Sequence, residues 1–413
     1  MKKALSILLA MGMTVGMVAG CGDTADNSSA AASTEAGTDG TQAAASAADI
    51  KVGVIYIGDE NEGYTAAHMA GIDEMAANLG LSDDQIIEKT TIPEDESCYD
   101  AAVDLADQGC NIIFATSFGH ETYILQAAQE YPDIQFCHAT GFKAAGSGLA
   151  NMHNYFDAIY EARYVSGVVA GMKLNEMIEN GDITADQAKI GYVGAFPYAE
   201  VISGFTSFYL GAKSVCESVT MEVQYTNSWA DMTAEGEVAN QLIADNCVLI
   251  SQHADTTGAP SACETAGVPC VGYNVDMTSV APDAALTSPT NNWGVYYTYA
   301  VQCVLDGKAI DTDWCKGFSE DAVRITPVNE AVAAEGTDAK VEEVEAALKD
   351  GSLHVFDTST FTVSGSSLED LIAEGGDYAK YADYVSDGYY HESELASAPS
   401  FDIIIDGITS QAN

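Results

Sequence analysis

The chain has 413 residues, of which 47% are apolar, so it can form two domains with hydrophobic cores and is not disordered throughout. It carries 62 acidic and 15 basic residues, giving a net charge of −47. Because such a charge repels nucleic acid and anionic lipid headgroups, and no run of Lys or Arg counters it locally, the composition argues against nucleic-acid binding.

The first residues have the pattern of an export signal. In residues 1–20, two lysines precede an apolar run, and small residues come just before Cys21. The sequence VAGC resembles a bacterial lipobox, which implies cleavage before Cys21, lipid on that cysteine and a position on the extracytoplasmic face of the cell membrane. The alternative is an ordinary secretory signal followed by an incidental cysteine. Residues 21–49 lack large apolar side chains and are expected to form a flexible tether.

The cysteines do not form a recognisable framework. There are ten, without CxxC spacing, and setting Cys21 aside leaves an odd number. The spacing argues against a zinc site, and the parity argues against a full set of disulfides. We therefore expect mostly free, buried thiols.

The predicted elements begin with VGVIYI (52–57), a short β-branched run typical of a buried parallel strand, followed by a polar loop and a helix. Similar runs at 111–118 and 134–140 alternate with helical patterns, which predicts a parallel sheet covered on both faces. Ligands of such sheets bind beyond the carboxyl ends of the strands, so the first loop is a candidate site. This loop contains Asp59, Asn61, Glu62 and Tyr64.

A second lobe of the same kind is predicted after a helix rich in small residues. In this helix Gly167, Ala170 and Gly171 permit close packing against a neighbour, and Glu161 and Arg163 are interpreted as features of its surface rather than as ligand contacts. The strand, loop and helix pattern then begins again with KIGYVGAF at Lys189. Further strand-like runs are MEVQYTNSW, NCVLISQH and PCVGYN.

Several blocks of this sequence carry a more specific resemblance. GYTAAHMAG, NYFDAIYEARYVSGVVAG, KIGYVGAFPYAEVISGF, SQHAD, VGYNVDM and LTSPTNNWGVYY, in this order, resemble the basic membrane protein family. These are substrate-binding lipoproteins of ABC importers, related to bacterial purine nucleoside receptors. The resemblance, over roughly residues 50–357, implies a type I periplasmic-binding-protein-like α/β fold with two Rossmann-like lobes, a three-crossover hinge and a purine nucleoside or nucleobase between the lobes.

The resemblance also predicts how the chain divides. Residues 50–155 and about 280–320 would form lobe 1, and residues 156–279 and about 321–357 would form lobe 2. The chain would cross between the lobes near 150–165, 275–292 and 315–330. Residues 358–413 would be a C-terminal extension that packs on the lobes, with FTVSG and FDIIIDGI as a terminal strand or hairpin.

A purine in a closed cleft needs aromatic faces for stacking. Tyr64 lies in the loop of the first lobe, and Phe196 and Trp229 follow strands of the second. Each of them could instead pack in the core or hinge. The better-known nucleoside receptors carry a DxSFN-like motif where this chain has GDENEGYTAAH, so the ribose contacts stay open and a free base is possible.

Polar candidates also lie at predicted strand ends. Carboxylates accept from amino or ribose hydroxyl groups, and Asn both donates and accepts, which suits a neutral polar ligand. The alternative is that these residues cap the helices that follow. The candidates are Ser117, Asn227, His253, Asp255, Asn274 and Asp276, with Phe118 as a further cleft residue and Asn292 and Trp293 at a hinge crossing.

Enzyme motifs are missing from the strand ends. No nucleophile elbow, HExxH or glycine-rich nucleotide motif follows a strand, so neither an enzyme nor a cofactor or metal is expected. The alternatives are a sensory binding protein for a small solute and an exported purine nucleosidase, since Asp59, Glu60 and Glu62 come close to an acidic cluster. The expected partners are the purine, ABC permease and ATPase subunits, and the membrane through lipid on Cys21.

Overall fold

The structure is a computed structural model that describes residues 46–411. The predicted signal peptide, the lipid attachment at Cys21 and most of the predicted tether lie outside the described residues. Between residues 46 and 411, no helix is both long and apolar enough to cross a bilayer.

The described residues form an α/β structure in which strands alternate with helices. The strands are β1 (Val52–Ile55), β2 (Ile86–Lys89), β3 (Ile112–Ala115), β4 (Gln135–His138), β5 (Met152–Tyr155), β6 (Lys189–Gly194), β7 (Thr220–Tyr225), β8 (Leu249–Gln252), β9 (Cys270–Val271), β10 (Pro289–Asn291), β11 (Asp313–Trp314), β12 (Val323–Ile325), β13 (Val385–Ser386), β14 (Tyr389–Tyr390) and β15 (Ile408–Gln411). The α-helices are α1 (Gly63–Leu79), α2 (Glu96–Asp107), α3 (Glu121–Glu130), α4 (Ala144–Ser147), α5 (Ile159–Asn180), α6 (Ala199–Val215), α7 (Met232–Ala244), α8 (Gly258–Ala266), α9 (Gly294–Asp306), α10 (Thr337–Lys349) and α11 (Leu368–Glu374).

The first sheet has six parallel strands in the order β11-β5-β4-β3-β1-β2. Side chains alternate between its faces, so Val52 and Val54 point into a core shared with α1 and α9. Ile55 points to the other face, into a core shared with α2 and α3. Both faces are therefore buried, as the continuous apolar strand sequences predict.

The second sheet has five parallel strands in the order β15-β7-β6-β8-β9. Beside it, α5 and α6 pack against each other so closely that a Cβ at Gly167 would lie 2.0 Å from the carbonyl oxygen of Phe208. A Cβ at Gly211 would lie 2.0 Å from the carbonyl oxygen of Tyr164. The close packing predicted for the small residues of α5 is therefore seen at Gly167, and Gly211 allows the same approach from α6.

The chain passes between the two sheets three times: after β5, between β9 and β11, and after β11. Near the second and third passages, β10 and β12 pair antiparallel in a separate two-stranded sheet. Ala285 still forms a bridge to Cys270 of the second sheet. Ala285 is therefore still attached to the second sheet, and the lobe boundaries stay predictions.

The C-terminal segment differs from expectation at its end. The stretch 401–407 is irregular, and it meets the FTVSG segment through the amide of Asp406, which donates to the carbonyl of Thr362 at 2.8 Å. The terminal strand β15 instead pairs in parallel with β7. Residues near the C-terminus therefore belong to the second sheet, because the edge of β7 was available for backbone hydrogen bonds.

The cysteines of the described residues are all free, as the sequence predicts. Eight of them are buried and Cys315 is partly exposed. Burial in apolar surroundings makes these thiols part of the core packing.

Candidate functional site

A cleft lies between the carboxyl ends of the strands of the two sheets. It encloses about 600 Å³ of space free of protein atoms, part of it open to solvent. One wall comes from the loops after β1, β3 and β4, and the other from those after β6, β7, β8 and β9. This is the position expected for ligands of open parallel sheets. The lining residues are Ile57, Gly58, Glu62, Tyr64, Thr116, Ser117, Phe118, Thr140, Glu200, Trp229, Ala230, His253, Asp255 and Tyr273.

The first wall is set by the start of α1. The Glu62 carboxylate accepts from the amides of Tyr64 and Thr65 at 2.8 and 2.9 Å, so it caps the helix. This cap fixes Tyr64 at the cleft, where its ring makes an edge contact with buried Trp293 at 6.1 Å between centroids. Ser117 also lines the cleft, but its hydroxyl already donates to Glu94 at 2.6 Å.

The second wall carries Trp229 with two aromatic side chains packed near it. Trp229 lines the cleft and is supported from behind by Phe196, with ring centroids 5.2 Å apart. Phe196 in turn stacks on Tyr198 at 5.1 Å. Phe196 thus lies one layer away from the cavity and acts as a support, whereas the sequence predicted a direct ligand contact.

His253 and Asp255 follow β8 and both line the cleft, as predicted. One ring nitrogen of His253 lies 3.3 Å from a carboxylate oxygen of Glu200, and the other is buried without a partner among the described residues. Asp255 accepts from the side-chain amide of Asn274 at 3.0 Å. Asn274, whose φ of 63° places it in the left-handed region that Asn tolerates, therefore orients Asp255 instead of lining the cavity.

The two walls also touch each other directly. The amide of Gly63, at the start of α1, donates to the carbonyl of Asp255 across the cleft at 2.9 Å. At the mouth, Phe118 stacks on Tyr198 from the opposite wall with centroids 5.8 Å apart. The structure therefore has a cleft whose walls are in contact.

Three further predicted candidates lie away from the cavity. Asp276 is exposed, and its carboxylate accepts from the amide of Thr278 at 2.8 Å, so it caps a helical turn, which was the alternative weighed for such residues. Asn227 is exposed and has a φ of 57° in the turn after β7. Asn292 donates to the carbonyl of Asp321 near the third chain crossing.

The interpretation of Glu161 and Arg163 as helix-surface residues is wrong. Arg163 is fully buried, donates to the carbonyl of Gln252 at 2.7 Å and lies over the ring of Tyr273 at 3.7 Å from its centroid. Glu161 accepts from the amide of Phe318 at 2.7 Å. Both face packed neighbours because α5 is enclosed on several sides. A helix that is apolar around most of its circumference is expected to be buried, and the interpretation of these two residues overlooked that signal.

The cleft is rich in hydrogen-bond acceptors and poor in positive charge. Among the described residues, no Lys or Arg lines it, and Arg163 lies behind Tyr273. Burial raises the pKa of Glu200 to about 7, and Arg163 acts in the opposite direction. Burial, followed by the charge of Glu62, raises the pKa of Asp255 well above its usual range. Burial also lowers the pKa of His253 well below its usual range, so this ring is neutral.

Sequence reasoning missed Glu200 and Tyr273 as lining residues. Glu200 lies in the first turn of α6, after β6, and Tyr273 follows β9. Their positions after strands are the signal that would have found them. Between residues 46 and 411, no cluster of three or more His, Cys, Asp or Glu side chains could hold a metal ion.

Comparison with known families shows to which family the chain belongs. The family described as ABC transporter substrate-binding protein PnrA-like (Bmp) matches residues 50–353. The chain belongs to this family. The resemblance found in the sequence is thereby confirmed, and this PnrA-like chain is a substrate-binding protein of an ABC transporter, from a family that acts outside the cytoplasm.

Individual relatives agree with this assignment. A purine-binding protein of Brucella abortus is 33% identical over 311 residues, which cover 74% of this chain and 83% of the relative. A putative ABC transporter glucose-binding protein of Haloferax volcanii is 36% identical over 197 residues, covering 48% of this chain and 46% of that protein. The family and these relatives bind substrates and are not enzymes, which confirms the expectation that the chain is not an enzyme.

A solved structure supports the fold. The ABC transporter solute-binding protein of Conexibacter woesei superposes with a TM-score of 0.60 at 19% identity, covering 74% of this chain and 98% of the other. The predicted periplasmic-binding-protein-like α/β fold is therefore confirmed for the PnrA-like chain.

Proposed function

We propose that this PnrA-like protein binds a purine base or nucleoside in the cleft and delivers it to the permease and ATPase subunits of an ABC transporter. The observation that carries the proposal is the pair of aromatic side chains, Tyr64 and Trp229, that line the same cavity from opposite walls. A flat heteroaromatic ring between such faces gains stacking on both sides.

Position and charge support the same ligand class. The cleft lies between the strand ends of the two sheets, where small-molecule sites of α/β proteins occur. Three carboxyl groups line the cleft, from Glu62, Glu200 and Asp255, and the described lining has no cation. Such a lining offers hydrogen-bond acceptors to amino, imino and hydroxyl groups but no positive charge to a phosphate, so we expect bases and nucleosides to bind and nucleotides to be rejected.

The polar contacts we propose come from both walls. His253 and Asp255 would hold polar groups of the ligand from the second wall, and the hydroxyl of Ser117 would accept from the first. Because a ligand touching both walls gains contacts that an open cleft lacks, binding would favour the closed state. The two sheets, with their helices, would be the two lobes that open and close about the three chain crossings.

The two relatives are named for different ligand classes, purines and glucose. The relative that covers most of this chain is named for purine binding, whereas the relative named for glucose covers 48% of it. Carboxylates also accept from sugar hydroxyls, so glucose must be tested as the competing ligand.

The test is titration calorimetry on the full chain, purified in detergent and then unfolded and refolded to remove carried ligand. We expect adenine, guanine, adenosine, guanosine or inosine to bind, and we expect no binding of AMP, uridine, ribose or glucose. Absence of heat with every purine, or tighter binding of glucose or ribose than of the purines, would overturn the proposal.

We also propose that the protein is held at the extracytoplasmic face of the membrane by lipid on Cys21. The support is the lipobox-like VAGC sequence followed by a tether without large apolar residues.

A further inference from the structure

Two carboxyl groups in the cleft each keep one oxygen without a hydrogen-bond partner among the described residues. Glu62 is occupied by two backbone amides. Asp255 accepts from Asn274 at 3.0 Å on one oxygen, and one oxygen of Glu200 lies 3.3 Å from a ring nitrogen of His253. Glu200 has the longer contact of the two, and its side chain is 15% exposed, so it has hydrogen-bonding capacity left for a ligand.

The position of Glu200 suits contact with the edge of a flat ligand. It lies on the same wall as Trp229. Its side chain lines both the cavity and a neighbouring groove that contains Tyr198, which we call the outer groove. A base stacked on Trp229 presents its ring edge, not its face, to the groups beside that indole. The carboxyl group of Glu200 would then meet the ring nitrogens and exocyclic groups of the base.

The two protonation states of a carboxyl group match two different purine edges. A carboxylate only accepts, so it pairs with two adjacent donors such as N1–H and the 2-amino group of guanine. A carboxylic acid donates through its O–H and accepts on its carbonyl oxygen, so it pairs with N1 and the 6-amino group of adenine. The same side chain can thus read either base, but in different protonation states.

The surroundings keep both states accessible near neutral pH. Burial raises the pKa of Glu200 to about 7, and the guanidinium of Arg163 on α5 limits the rise. The neighbouring imidazole of His253 is neutral because burial holds its pKa well below the usual range. The other titratable groups that face this part of the cleft are Glu62 and Tyr64 at the start of α1, Tyr192 on β6, Asp255 after β8 and Tyr273 after β9.

We infer that Glu200 reads the hydrogen-bonding edge of the bound purine, selecting a guanine-type edge when ionised and an adenine-type edge when protonated. This inference rests on the proposed function, because it requires a purine in the cleft. It makes Glu200 the residue that determines which purine is preferred and makes that preference depend on pH.

The change of the purine preference with pH follows from the ionised and protonated fractions of Glu200. Between pH 5.5 and 8.0 the ionised fraction of a group with a pKa of about 7 rises about thirtyfold, and the protonated fraction falls about tenfold. Apparent affinity scales with the fraction of the competent form, so the guanine-to-adenine affinity ratio should rise by roughly three hundredfold over this range. Near pH 7, where the group is about half protonated, guanine binding should release about half a proton per site and adenine binding should take up about half a proton.

The experiment is calorimetry of the full chain with guanine and adenine, and with guanosine and adenosine, at pH 5.5 and 8.0. At pH 7 it is repeated in two buffers of different ionisation enthalpy to count protons. The variant Glu200→Gln carries an amide that both donates and accepts, so it imitates the protonated acid. We expect it to keep adenine binding, to weaken guanine binding by roughly tenfold, and to lose the pH dependence of the ratio.

The matched control is Glu237→Gln. Glu237 is an exposed glutamate on α7, a helix that follows a strand of the second sheet, so this variant should show the wild-type affinities and pH dependence. Purine binding with a ratio that does not move with pH, or a Glu200→Gln variant that weakens both bases equally, would overturn the inference and leave the proposed function intact. Failure of every purine to bind at both pH values would overturn both.

Discussion

Replacing Trp229 with Ala tests the stacking wall of the cleft. Trp229 is partly exposed to the cavity and touches Phe196 and Tyr198 behind it, at 5.2 and 6.1 Å between centroids. Stacking of a base on an aromatic side chain contributes about 1–3 kcal/mol, and 1.4 kcal/mol corresponds to a tenfold change in Kd. Because the two supporting rings can partly fill the vacated space, we expect a loss near the lower half of this range, about tenfold.

The assay is calorimetry with the purine that binds best to the wild-type chain, together with thermal melting to show that each variant is folded. Trp229→Phe keeps a smaller aromatic face and should lose only a few-fold in affinity. Phe142→Ala removes a ring that is 57% exposed and lies in the outer groove, so it should bind as wild type. Binding of Trp229→Ala within twofold of wild type, or an equal loss in Phe142→Ala, would refute stacking on Trp229.

Three further predictions concern packing, pH and processing. Gly211→Ala places a Cβ 2.0 Å from the carbonyl oxygen of Tyr164, so urea unfolding should show a free energy of unfolding lower by about 3 kcal/mol. In Gly146→Ala the new Cβ meets no atom within 4 Å, so the free energy of unfolding should hardly change. Equal stability of the two variants would contradict the close packing of α5 and α6. Burial raises the pKa of Glu161 from 4.5 to about 7, so the folded state binds more protons than the unfolded state between these values, and this group's contribution to stability falls as pH rises through them. Glu161→Gln keeps an acceptor for the amide of Phe318. Its free energy of unfolding should match that of wild type at pH 5 and exceed it at pH 8 by up to about 3 kcal/mol. Parallel pH profiles of the two proteins would contradict the raised pKa of Glu161. Cys21→Ala should appear in the soluble fraction or remain unprocessed, as judged by membrane fractionation and the mass of the N-terminal peptide, and normal membrane attachment would argue against the lipid anchor.

The fold class and the region of the site can be predicted from local sequence patterns. Strands such as Val52–Ile55 are short, apolar and β-branched, and each is followed by a polar turn and a helical pattern, so a parallel α/β sheet follows from local sequence. Parallel strands bring their carboxyl ends to one edge, which is why the sequence alone places Tyr64, Ser117, Trp229, His253 and Asp255 near one cleft. The two-lobe arrangement and the purine ligand were predicted from the blocks that resemble the family.

Which strand-end residue faces the cavity cannot be predicted from local sequence, because it depends on the path of the loop in the folded chain. Asp255 and Asp276 both follow strands of the second sheet, but one faces the cleft and the other turns back to cap its own helical turn. The direction depends on backbone angles in the intervening loop, such as the left-handed φ of Asn274, which weak local preferences do not fix.

The burial of Arg163 and the terminal strand β15 were also decided by contacts distant in sequence. Arg163 is enclosed because α5 meets α6 and the loops after β8 and β9, and its guanidinium finds Gln252 and Tyr273 there. Residues 408–411 form a strand because the edge of β7 offers unpaired backbone groups. Both outcomes depend on partners that lie about 90 and 190 positions away, and local patterns of apolar and polar residues carry no information about partners at such separations.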